Sequence, residues 1–288
     1  MRTGEPSTSF GVLLDGALAI HLDLPGQEPH IVEITEPGSI VGEIGMLMGR
    51  PHMATVTALV DSEVAVGDAG VFDAILHVPA AEARIRTLAL RRLAADVTPL
   101  DKELRDGTVV HVRPLLPTDR DGIAAAVRAA SAETLRRRFF SVAPPTSRVI
   151  DYLTDLNYVD HFAWLVTDES DAVVAVSRYV RDREDPCSAE VALTVLDDWQ
   201  GKGLGRLILG AAGVAASASG IDTFTALFLA ENRQVRELFR TAGAVFGFSG
   251  DPGAVMATMP LASVSALLDD QTATAIAGLA RTVFTGRW

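Results

Sequence analysis

The run Gln200-Gly201-Lys202-Gly203-Leu204-Gly205-Arg206 constrains this chain more than any other stretch, because it stands between a strand pattern and a helix pattern. Glycines at alternate positions let the backbone turn sharply and bring its amides close to a ligand. The helix that follows adds unpaired N–H donors and a positive dipole end. Together these predict a site for a phosphate-bearing molecule. The Gly-x-x-x-x-Gly-Lys spacing of a Walker loop is absent, and no third glycine falls at the offset of a dinucleotide fingerprint. A tight strand-to-helix turn remains the alternative, so the flanking pattern has to decide.

That pattern alternates strand and helix, which predicts an α/β domain. Strands are expected at Val109 to Val112, Phe162 to Thr167, Val173 to Tyr179, Ala189 to Val195, Phe224 to Leu229, Val245 to Phe248 and Val255 to Met259, with a hairpin at Asp168 to Asp171. Helices are expected at Arg120 to Ala130, Ala132 to Phe140, Leu204 to Ala218, Arg233 to Thr241 and, last, Ser263 to Phe284. The first third reads differently. Short strands at Phe10 to Leu14, Ala17 to Leu24, Ile31 to Ile34, Ala54 to Leu59 and Glu63 to Gly67 are separated by Asp15-Gly16, Pro25-Gly26 and Pro37-Gly38. This spacing predicts a small β-roll, closed by one helix from Val71 to Ala95. Asp96 to Gly107, with Pro99 and a dense cluster of charges, reads as a solvated linker. The expected class is α+β: a roll over 1–97, a linker over 98–107, a mixed α/β domain over 108–262 and a C-terminal helix over 263–288.

Composition excludes several functions. Lys and Arg total 25 against 37 Asp and Glu, a net charge of −12, which repels a phosphate backbone and argues against a nucleic-acid binder. A single cysteine, Cys187, forms no internal disulfide and no cysteine zinc site, so no metal is expected and the compartment should be reducing. Met1 to Ser9 lacks the apolar stretch of a signal peptide, and the longest uncharged runs fall short of the roughly 20 residues that span a membrane. A cytoplasmic protein without membrane partners is the expectation.

The Gln-x-x-Gly-x-Gly spacing, the strand Ala189 to Val195 before it, the helix after it and Asn232 opening a further helix together resemble the GNAT superfamily of N-acetyltransferases, from about Thr108 to Met259. The resemblance implies that Gln200, Gly201, Lys202, Gly203, Leu204, Gly205 and Arg206 seat the pyrophosphate of acetyl-CoA, with Asn232 nearby. It implies that the strand before the loop splays from its neighbour, so that the backbone of Leu193, Thr194 and Val195 holds the pantetheine arm and thioester. Glu190 on that strand would be the base. A lysine ammonium with pKa near 10.4 must lose a proton before attack, and a partly buried carboxylate can take it. The alternative for Glu190 is a solvent-facing strand-end residue. The family's tyrosine acid falls at Phe239, which leaves the general acid unassigned.

Ser131 to Phe140 and Tyr158 to Phe162 resemble the N-terminal half of bacterial protein lysine acetyltransferases, and nearly the whole chain resembles the actinobacterial members governed by cyclic AMP. The resemblance makes His161 a candidate autoinhibitory residue standing in for the substrate lysine; capping a strand start is the other reading. Arg136 to Arg138 alone read as a solvated helix face. A protein substrate with an accessible lysine, of the acyl-CoA synthetase type, is implied.

Pro37 to Leu47 followed by Pro51 to Val56 resembles the phosphate-binding cassette of cyclic-nucleotide-binding domains. Gly42, Glu43 and Ile44 fit the turn, the ribose contact and the short helix, with Met53 just beyond. The arginine that forks onto the cyclic phosphate is replaced by His52, a weaker donor that is largely neutral at pH 7. Strands expected upstream of Phe10 are missing, so the roll is expected to be truncated or degenerate. Cyclic AMP as an effector therefore stands beside a roll that merely docks. For the whole chain, an acetyl-CoA-dependent lysine acetyltransferase stands first, with an inactive regulatory binder of acetyl-CoA or nucleotide and a small-amine acetyltransferase as alternatives.

Overall fold

The computed structural model describes residues 1–22 and 30–285, and the chain divides into two units between Ala89 and Leu90. The first contains β1 (Ser9–Asp15), β2 (Leu18–Leu22), β3 (His30–Ile34), β4 (Ile40–Val41), α1 (Glu43–Met48), β5 (Thr55–Ala58), β6 (Glu63–Asp68), α2 (Ala69–Leu76) and most of α3 (Pro79–Ala95). Two antiparallel sheets form, in the orders β4-β1-β6 and β3-β2-β5. Phe10 of β1 meets Phe72 of α2 at a ring-centroid distance of 5.3 Å above Ile85, while Leu13, Leu18 and Val41 fill a second cluster. Gly16 turns β1 into β2 at φ 94°, where a Cβ would stand 2.7 Å from the Asp61 carbonyl oxygen; only glycine fits.

Two expectations change here. The single helix over 71–95 is two, because Pro79 has no N–H to continue the ladder and its ring pushes Val78 away from helical backbone. The strand expected over 17–24 ends at Leu22, and the Pro25-Gly26 turn lies outside the described residues.

The second unit carries β7 (Leu100–Glu103), β8 (Val109–Pro114), α4 (Arg120–Ala129), α5 (Ala132–Phe139), α6 (Ser147–Thr154), β9 (His161–Thr167), β10 (Val173–Arg181), β11 (Ser188–Val195), α7 (Leu204–Ala218), β12 (Thr223–Leu229), α8 (Arg233–Thr241), β13 (Val245–Phe248), β14 (Ala254–Pro260), α9 (Leu261–Ser265) and α10 (Asp270–Thr285). Eight strands form one sheet in the order β13-β14-β12-β11-β10-β9-β8-β7, antiparallel throughout except for β11 with β12. Buried Trp164 and Ser177 tie the sheet to α7, donating to the carbonyls of Ala211 at 2.9 Å and Ile208 at 2.8 Å. Each such bond contributes about 1 kcal/mol. Arg178, next along β10, points to the opposite face, where its Nη1 donates to the Leu153 carbonyl.

The expected linker is partly sheet. Residues 100–103 pair with β8, because alternation turns Leu100 and Lys102 inward and leaves Asp101 and Glu103 in solvent. Lys102 reaches Asp269 and Thr272 from this strand. The last helix is also interrupted: α9 stops at Ser265, and Asp269 caps α10 by accepting from the Thr272 N–H at 2.8 Å.

Candidate active site

The parallel pairing of β11 with β12 covers only Ser188, Ala189 and Glu190 against Thr223, Phe224 and Thr225. Beyond Glu190 the two strands part, while β11 stays paired with β10 as far as Val195. Leu193, Thr194 and Val195 thus carry no ladder bonds to β12, as the splayed-strand expectation requires. The gap opens a cleft of about 910 Å³, whose walls include Glu190, Leu193, Phe139, Phe140, Asn232 and Phe239.

Glu190 is exposed on this wall, and its carboxylate makes no hydrogen bond or ion pair to any described residue. Phe239 is buried and packs edge-on against Phe228 at 5.6 Å, so the position of the family's acid has no proton to give. Among the described residues no Tyr, Cys or His lines the cleft.

The glycine-rich turn closes the other end. Gly201 and Gly203 adopt φ of 78° and 99°, left-handed conformations that favour glycine, and Gly203 sits at the N-terminus of the 15-residue α7. Gly205 leaves Leu238 only van der Waals distance away. Gln200 does not reach outward: its amide donates to the Val195 carbonyl at 3.1 Å and the Thr134 hydroxyl at 3.3 Å, bracing the loop against the strand. Arg206 lines the cleft while donating to the Leu267 carbonyl. Leu204 departs from expectation, since its side chain is buried in the core and only its backbone remains for a ligand. Lys202 departs as well. It pairs with Asp106 at 3.0 Å and covers the Trp199 ring at 4.9 Å, off the cleft wall. Asn232 lines the cleft and caps α8 by accepting from Val235 N–H at 3.1 Å.

Three cationic residues on the wall, Arg105, Arg137 and Arg138, are not among the site residues expected from the sequence. Arg105 projects from the β7–β8 turn, its Nε 3.9 Å from where a Cβ on Gly203 would be. Arg138, at the end of α5, stands by Glu190, whose charge acts on it. For Arg138 a signal existed, since Leu135, Arg138 and Phe139 share one face of α5. For Arg105 there was none.

His161 lies outside the cleft lining. It opens β9, buried, stacked on Tyr152 at 5.1 Å and 3.1 Å from Arg178 Nη1; burial and the Arg178 charge push its pKa down to about 4. Neutral Nε2 accepts from the guanidinium, which leaves the ring proton on Nδ1.

In the first unit, Gly42 turns into α1 at φ 83°, and Glu43, which opens that helix, is buried. Ile44 lies within α1 and Met53 follows His52. His52 is buried, with its Nδ1 2.9 Å from the Ser7 hydroxyl and its pKa lowered by desolvation. A neutral ring stands where the resemblance asks for a charged fork. Among the described residues no cluster of three or more His, Cys, Asp or Glu could hold a metal ion, and no helix is long and apolar enough to cross a membrane.

Comparison with known proteins places both units. Residues 1–78 match the cyclic nucleotide-binding domain family and residues 110–245 the acetyltransferase (GNAT) domain family. Acetyltransferase Pat of Mycolicibacterium smegmatis is 38% identical over 257 residues, covering 89% of this chain and 77% of that protein. The chain belongs to the GNAT acetyltransferases that carry a cyclic-nucleotide-binding domain. Among solved structures, the cAMP-binding acyltransferase from Mycobacterium smegmatis matches with a TM-score of 0.55 and 32% identity over 99% of this chain and 84% of that one. The GNAT domain of S. lividans PAT matches with a TM-score of 0.53 and 26% identity over 56% of this chain and 96% of that one. As a GNAT enzyme the protein is an acyltransferase, and acetyl-CoA is its donor.

Proposed function

We propose that this enzyme transfers the acetyl group of acetyl-CoA to the ε-amino group of a lysine on a protein, with Glu190 as base. The observation that carries the reading is the parting of β11 from β12 immediately past Glu190, which puts this carboxylate and the unpaired Leu193–Val195 edge on one cleft wall. Acetyl-CoA supplies an activated acyl carbon on a good leaving group. The amides at Gly201, Gly203 and Gly205 and the N-terminus of α7 suit its pyrophosphate, and Arg105 and Arg206 add positive charge to the same wall. Backbone amides of Leu193–Val195 orient the thioester and stabilise the oxyanion.

Glu190 takes the proton from the incoming ammonium, directly or through one water, and the neutral amine attacks. Phe239 donates nothing, so the thiolate leaves unassisted or takes its proton from water; a thiol of pKa near 8.5 needs little help. Acyl-CoA synthetase-like enzymes of the cytoplasm are the substrates this reading favours. Cyclic AMP, bound weakly through the Gly42–Glu43 cassette, is its effector.

The test is Glu190→Gln. Acetylation of a lysine-bearing protein should fall about 10²–10⁴-fold while acetyl-CoA affinity, measured calorimetrically, holds. Undiminished turnover would remove Glu190 from the mechanism.

A further inference from the structure

Three consecutive arginines end α5, and they do not behave alike. Arg136 pairs with Glu133 and Glu231, and Arg137 pairs with Glu133 at 2.8 Å and the Gln234 amide oxygen at 3.2 Å. Arg138 turns inward. Its guanidinium lies 5.0 Å from the Phe139 ring, lines the cleft beside Glu190, and also lines a second cavity of about 50 Å³. No carboxylate lies within ion-pair distance of it among the described residues.

The second cavity has another cation on its wall, Arg178, which is buried and stands directly across from Ala192 in the β10–β11 register. Among the described residues only one Arg178 nitrogen, Nη1, is engaged, by the Leu153 carbonyl at 2.9 Å and His161 at 3.1 Å. Two guanidiniums facing one small, largely apolar cavity repel each other and are each poorly solvated. Arg178 is accordingly pushed down to about 9, by burial first and by Arg138 second. Glu190 is the group whose charge opposes this around Arg138. Glu190 is needed for the amine's proton. The site therefore holds a surplus of positive charge next to the place where the acyl group must lie.

We propose that Arg138, backed by Arg178, binds the distal carboxylate of a short dicarboxylic acyl group, so that the enzyme transfers succinyl- or malonyl-type groups from coenzyme A as well as acetyl. The inference rests on the reading of Glu190 and the Leu193–Val195 edge given above. The cavity is walled by Thr194, within the Leu193–Val195 stretch assigned to the thioester, and by its neighbour Ala192, so it lies beside the place of the acyl group. Its volume admits more than one water but only a few heavy atoms, which selects short chains. A guanidinium here would repel an acceptor ammonium and attract a carboxylate. The bonds exchanged are those of acetyl transfer: the C–S bond breaks, the amide C–N bond forms, the amine proton passes to Glu190 and coenzyme A leaves as thiolate. The distal carboxylate is unchanged.

The experiment compares kcat/KM for succinyl-CoA, malonyl-CoA and acetyl-CoA on one lysine-bearing protein, in wild type, Arg138→Gln and Arg138→Lys. The readout is the diacid-to-acetyl ratio within each protein, so a general loss of activity or fold cancels. The wild-type ratio should be within about tenfold of unity. It should fall at least about tenfold in Arg138→Gln and recover partly in Arg138→Lys, as loss and retention of a charge-assisted bond require. A ratio equal in all three proteins, or wild type that transfers acetyl but neither diacid, overturns the proposal and leaves the acetyltransferase reading intact. An unchanged donor ratio with altered preference for acidic residues beside the lysine overturns it too, by moving the anion to the acceptor. No transfer of any group by wild type overturns both readings.

Discussion

The ammonium of Lys202 lies 3.0 Å from an Asp106 carboxylate oxygen, tying the glycine-rich loop to the β7–β8 turn. The hydrogen bond from Lys202 holds the Asp106 pKa down to about 2. Of the two cations in the Gln200–Arg206 loop, Lys202 is thus occupied by a protein carboxylate, while Arg206 faces the cleft.

Asp106→Asn should therefore tighten acetyl-CoA binding severalfold at low salt, with the gain fading as salt screens the exposed loop. Because the Asp106 pKa is lowered in the folded protein, the pair is complete above about pH 4 and opens only as pH falls toward 2. Donor affinity should show no Asp106 step near neutrality. Calorimetric titration of both proteins at two ionic strengths measures this; equal or weaker binding by the variant would show that Lys202 takes no part.

Gly213 of α7 marks where that helix meets α9. A Cβ there would stand 2.7 Å from Val264 Cγ1 and 3.2 Å from the Ser265 hydroxyl. Overpacking of this kind costs about 1–3 kcal/mol, offset by up to about 1 kcal/mol of helix propensity. Gly213→Ala should lower the melting temperature by roughly 2–4 °C in calorimetry. A rise would mean that α9 gives way without loss.

What the chain's pattern revealed, and what it hid, divides along physical lines. The Gln200–Arg206 turn, the strand before it and the helix after it are local features, with glycines whose φ values demand them, and they read correctly. The parting of β11 from β12 followed from family resemblance; no property of residues 191–195 announces it. β7 reads as linker because its partner β8 supplies the pairing that its charged composition obscures. The direction of Arg138 depends on where α5 is pinned. That is set by Asp197, which accepts from Ser131 N–H and from the Ser131 and Thr134 hydroxyls, some 60 residues away in sequence. Three adjacent arginines look identical until such an anchor fixes the helix.

His52→Arg probes the first unit. The neutral imidazole held by Ser7 offers no charge to a cyclic phosphate, whereas an arginine offers two charge-assisted bonds worth about 1.5–3 kcal/mol each. Cyclic AMP affinity should rise at least about tenfold by calorimetry. Equal affinity in the two proteins would place residue 52 away from the phosphate.

His161 makes the stability of the second unit acid-sensitive. Its folded pKa is near 4 against 6.5 unfolded, because burial and Arg178 disfavour the imidazolium. Between those values the unfolded chain binds a proton that the native state refuses, so stability rises with pH across this window. The contribution is complete above about pH 6.5, falls by roughly 2–3 kcal/mol as pH drops to 4, and changes no further below it. Glutamine in its place keeps an acceptor for Arg178 and has nothing to titrate. Urea unfolding at about pH 7 and pH 4.5 should therefore show a smaller acid loss in His161→Gln than in wild type. Parallel losses in the two proteins would mean that groups other than His161 set the acid sensitivity.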